Sequence, residues 1–117
     1  MSKFARGVLM AVMCCQFGAA NAAAYGIGQL GPIGGQGLGP NLVYFALSPA
    51  PVNRAACNNH ISYQFVIDIS SADGKALYSS LLMAKASGLS VAVQGTGVCH
   101  PGTQMETVSY WILQPEQ

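Results

Sequence analysis

Charge is what this sequence has least of. Its 117 residues hold five lysines and arginines, four aspartates and glutamates, and two histidines. So thin a basic set excludes the electrostatic footprint that DNA, RNA or an anionic membrane surface calls for. Long apolar runs are missing too, since the longest, Val8 to Cys15, falls well short of the roughly 20 residues a membrane-spanning helix needs. Catalytic constellations are equally scarce. A nucleophilic serine needs a base and a group to orient it, and only His60, His100, Asp68 and Glu106 are available as partners, with no nucleophile-elbow spacing. Asp73 is better explained by a helix start, which leaves too few acids for a glycosidase pair. Gly26-x-Gly28 lacks the third glycine and the lysine of a phosphate cradle. These absences predict a protein that is not an enzyme and holds no metal or cofactor.

What is present begins with an export signal. Lys3 and Arg6 give a positive start, Val8 to Cys15 an apolar stretch, and Ala20-Asn21-Ala22 the small-x-small pattern of a cleavage site. The expected signal peptide is residues 1–22, with a cut before Ala23. Met13 before Cys14 is not the small residue that lipid modification requires. Residues 23–117 form one small domain. It carries Arg54, Lys75 and Lys85 against Asp68, Asp73, Glu106 and Glu116, a net charge of −1 with neutral histidines. The expected location is secreted or periplasmic, and a surface so poor in charge suggests cover by a partner or by copies of itself.

Cys14 and Cys15 leave with the signal, so Cys57 and Cys99 are the thiols that remain. In an oxidising compartment they are expected to form one disulfide. A loop of that size should contribute roughly 3–4 kcal/mol by reducing the freedom of the unfolded chain. If the thiols stayed reduced, Cys57, His60, Cys99 and His100 would make a zinc ligand set; export favours the disulfide.

The glycine-rich segment 26–40 excludes a regular helix. It reads as a mobile loop, with Ile27, Leu30 and Ile33 able to form a short irregular strand. Leu42 to Leu47 reads as a buried strand stopped by Pro49 and Pro51. Ile61 to Ile69 alternates, with Ile61, Tyr63, Phe65, Ile67 and Ile69 on one face. Ser71 as N-cap, Asp73 in the first turn and Gly88 as the stop delimit a helix whose core stripe is Leu77, Leu81 and Ala84. Ser90 to Val98 is a strand bent at Gly95-Thr96-Gly97, and His100-Pro101-Gly102-Thr103 is a turn. In the last strand, Glu106 to Leu113, Val108, Tyr110 and Ile112 oppose Thr107, Ser109, Trp111 and Leu113. Glu106 itself is expected to face solvent or pair with a lysine.

The fold class is therefore mostly β with one helix: a five-stranded OB-like Greek-key barrel, the helix between strands 3 and 4, and one disulfide. Gly74-Lys75-Ala76-Leu77-Tyr78-Ser79-Ser80-Leu81-Leu82, then Ala84, Gly88, Val91-x-Val93-x-Gly95-Thr96-Gly97-x-Cys99 and Glu106, resembles a group of small secreted bacterial proteins. More distantly it is similar to the OB-fold binding subunits of A-B toxins of the subtilase-cytotoxin kind. That resemblance implies a non-enzymatic binding module, oligomeric and recognising cell-surface glycans, and it carries over no sugar-binding residue. The alternative is an accessory envelope protein acting through protein contacts. Residues able to meet a ligand or partner are Trp111, Asn58, Asn59, His60, Met83 and Leu82, with Trp111 otherwise packed beneath the helix.

Overall fold

The computed structural model describes residues 22–114, so the expected signal peptide lies, apart from Ala22, outside the described residues. The elements are β1 Tyr25–Gly35, β2 Leu42–Ser48, β3 Phe65–Asp68, α1 Ala72–Ser87, β4 Val91–Cys99 and β5 Glu106–Leu113. The strands bond in the order β1-β2-β3-β5-β4, and pairing of β4 with β1 closes the barrel. All pairings are antiparallel except β3 with β5, which is parallel and short: Phe65 opposite Glu106 and Val66 opposite Thr107. Beyond Thr107, no strand among the described residues pairs with β5 on the side away from β4.

The glycine-rich opening is a strand as far as Gly35, longer than the short irregular one expected there, and only residues 36–40 form a loop. Its glycines let neighbouring backbone come close: a Cβ on Gly28 would run into the Ser48 carbonyl. The register with β2 slips by one residue between Leu30 and Ile33, a bulge that lets both side chains reach the core. β3 is shorter than its alternation suggested. Ile61, placed with the core by period, is 98% exposed in the loop before the strand.

Apolar residues two apart in β2, β3 and β4 supply the core: Phe45 and Leu47, Phe65 and Ile67, Val91 and Val93. Leu77, Leu81 and Ala84 of α1 close it, as their helical spacing predicts. The Ser71 hydroxyl accepts from the Gly74 N–H at 3.0 Å, and Gly88 ends the helix in the left-handed region at φ 66°. A second cluster, Leu42, Val66 and Met105 with Tyr44 and Tyr63 against it, covers the outer side of β2 and β3. Cys57 and Cys99 form a disulfide, with Cα atoms 6.1 Å apart.

Candidate functional site

A cleft of about 230 Å3 opens where β3 and β5 separate. Its position follows from local chemistry. After Asp68 the chain turns at once into α1: the Asp68 carboxylate accepts from the backbone N–H and the hydroxyl of Ser70, at 2.9 and 2.6 Å. Gly74 packs so tightly on the Asp68 carbonyl that no side chain would fit there. The start of the helix thus sits against the end of β3, while β5 runs on past it.

Val66, Ile67, Leu77, Val108 and Trp111 make the apolar lining, and Asp68, Ser71, Asp73, Thr107 and Ser109 the polar part. Ser109 and Thr107 are steadied from β4, through the Gln94 carbonyl at 3.1 Å and the Thr96 hydroxyl at 2.7 Å. The Ser70 hydroxyl, then its backbone N–H, hold the Asp68 carboxyl below the usual carboxylate range.

Trp111 reaches this cleft because β5 does not alternate as expected. Gln94 pairs with Tyr110 but Gly95 pairs with Val108, so Ser109 is an extra residue in β5. The bulge reverses the phase. Val108, Trp111 and Leu113 pack against the core, whereas Tyr110 and Ile112 are 47% and 51% exposed. The grouping of Val108 with Tyr110 and Ile112 is thereby corrected, and half-buried Trp111 both packs on the core and lines the cleft.

The other candidates lie elsewhere. Asn58 is buried, donating to the Glu106 carboxylate at 2.6 Å and accepting from the Arg54 guanidinium at 3.0 Å. Asn59 is exposed and His60 half-buried. The His60 Nδ1 accepts from the backbone N–H groups of Ser62 and Tyr63, at 3.1 and 3.2 Å. Leu82 and Met83 are exposed on α1, off the stripe that faces the barrel. Neither lines the cleft that Trp111 lines. With both sulfurs in the disulfide, the zinc set is not formed, and no group of three or more His, Cys, Asp or Glu is placed to hold a metal among the described residues.

Glu106 corrects the sequence reading most sharply. Expected at the surface, it is fully buried. Its carboxylate accepts from the backbone N–H groups of Ala24 at 3.0 Å, Gly97 at 2.9 Å and Ala55 at 3.1 Å, besides Asn58. The available signal was β4: only a residue without a side chain at 95 leaves room, since a Cβ there would lie 2.6 Å from the Glu106 Oε1. No protein-family model, curated protein or solved structure matches the chain.

Proposed function

We propose that the mature chain is a secreted, non-enzymatic binding module on an OB-like Greek-key barrel, and that it recognises glycans through the Trp111 cleft. The strand order, the parallel β3–β5 contact and the helix between β3 and β4 support the OB-like reading. The export signal and the Cys57–Cys99 disulfide support secretion. Two groups otherwise suited to acid–base work are committed to structure: Glu106 is enclosed by N–H donors, and the His60 Nδ1 accepts from two backbone amides.

One observation carries the ligand class: an indole and a ring of oxygen acceptors share a cleft sized for a single ring. About 230 Å3 lies below the range of roughly 300–1,000 Å3 typical of drug-sized ligands. Aromatic faces stack on the CH-rich side of a pyranose, and carboxylates and hydroxyls bond its OH groups. A glycan array probed with the oxidised protein should give hits that Trp111→Ala abolishes. A blank array would overturn this reading.

A separate feature favours protein contacts, either self-association or a place in an envelope assembly. Ile27 and Ile112 flank Ala92 across β1, β4 and β5, and Ala92 is buried although it lies in an outward row. Tyr110 extends this uncharged face. Light scattering should show an oligomer that Ile112→Lys converts to a monomer. A wild-type protein that stays monomeric at high concentration would remove this second reading.

A further inference from the structure

Among the described residues the acidic side chains are Asp68, Asp73 and Glu106, and Glu106 is sealed inside. Both solvent-facing carboxylates therefore lie in one place, the Trp111 cleft; neither Arg54, Lys75 nor Lys85 lines it, and His100, the smallest of the influences on Asp68, stands outside the lining. Asp68 uses Oδ1 for both of its Ser70 bonds, which leaves Oδ2 free of them on an exposed residue that lines the cleft. A helix N-terminus ordinarily favours anions. Here the Ser71 hydroxyl takes the Gly74 N–H and Asp73 occupies the first turn, so that bias is offset from within the helix.

From this we infer that the cleft selects a sugar residue bearing a free amine, a protonated amino sugar, over neutral, N-acetylated or acidic sugars. The inference rests on the glycan reading and adds the sign of the charge. The pyranose ring lies on the Trp111 indole, and its ammonium donates to Asp68 and Asp73, gaining cation–π attraction from the same indole. A sialic acid or uronic acid would bring a carboxylate against two others and be repelled. N-acetylation removes the positive charge and enlarges the group that has to enter a cleft made for one ring.

Trp111 is the only tryptophan in the sequence, so its emission reports this cleft without a label. The test titrates the oxidised protein, at mildly acidic pH where the amine is protonated, with a glucosamine trimer, an N-acetylglucosamine trimer and a sialylated trisaccharide. The expected result is saturable binding of the glucosamine trimer, about tenfold tighter than the N-acetylated one, with no response to the sialylated sugar. Asp68→Asn and Asp73→Asn together should erase the tenfold preference without changing the far-ultraviolet circular dichroism, and added salt should weaken it. Equal or tighter binding of the N-acetylated or sialylated sugar, or a preference that survives the double substitution, overturns the charge selectivity and leaves the glycan reading standing. Silence from all three sugars together with a blank glycan array overturns both.

Discussion

At position 106 one carboxylate joins β5 to three other parts of the chain: the start of the described residues at Ala24, the loop carrying Ala55 and Asn58, and β4 at Gly97. Every partner is an N–H donor. Glu106→Gln keeps the shape but turns one acceptor into a donor that faces other donors. A buried donor left unpaired costs about 1–3 kcal/mol, so this variant should lose roughly 3 kcal/mol or more, read from the urea midpoint. None of this was legible at residue 106, because the partners come from distant segments and only the folded β4, irregular between Gly95 and Cys99, brings Gly95 against the carboxylate. Asp68 makes the contrasting case at the surface. Ser70→Ala removes the largest cause of its lowered pKa, so the carboxyl should titrate nearer the ordinary aspartate value in an NMR titration. With a lowered folded pKa, the stability Asp68 contributes is present above its unfolded pKa and disappears as pH falls through the folded one.

Among elements, the helix was readable to the residue, because its signals are local. Ser71 caps it, Gly88 stops it, and a three-to-four spacing marks the buried stripe. Ser71→Ala should cost about 1 kcal/mol in thermal or urea unfolding. The strands were harder for a physical reason: a period of two survives only where no residue is inserted. At Ser109 an insertion turned Trp111 inward, and at Gly31–Pro32 another kept Leu30 and Ile33 on one side. Neither insertion leaves a mark in the composition. Strand 3 failed in the opposite way, since Ile61 keeps the period yet lies beyond the pairing. Ile61→Ser should therefore change stability by no more than about 0.5 kcal/mol, whereas Phe65→Ala, at a fully buried position, should cost about 3–5 kcal/mol in the same urea assay.

For the whole molecule, the disulfide spans 42 residues and ties the loop before β3 to the end of β4. Compartment logic alone indicated this pairing from sequence, whereas the cleft was invisible there because it exists only where β3 and β5 part. Replacing both cysteines by serine should lower stability by roughly 3–4 kcal/mol. Because Asn58 follows Cys57 directly, the loss should also loosen the Asn58–Glu106 contact, visible as faster amide exchange at Ala55 and Gly97. Among the described residues no strand pairs with the flank of β5 from Val108 to Leu113, and this has a practical outcome of its own. An unaccompanied strand margin beside uncharged, greasy side chains is a template for stacking. Concentrated stocks should accordingly cloud and bind thioflavin on prolonged storage, and a lysine introduced on that flank should lengthen their shelf life.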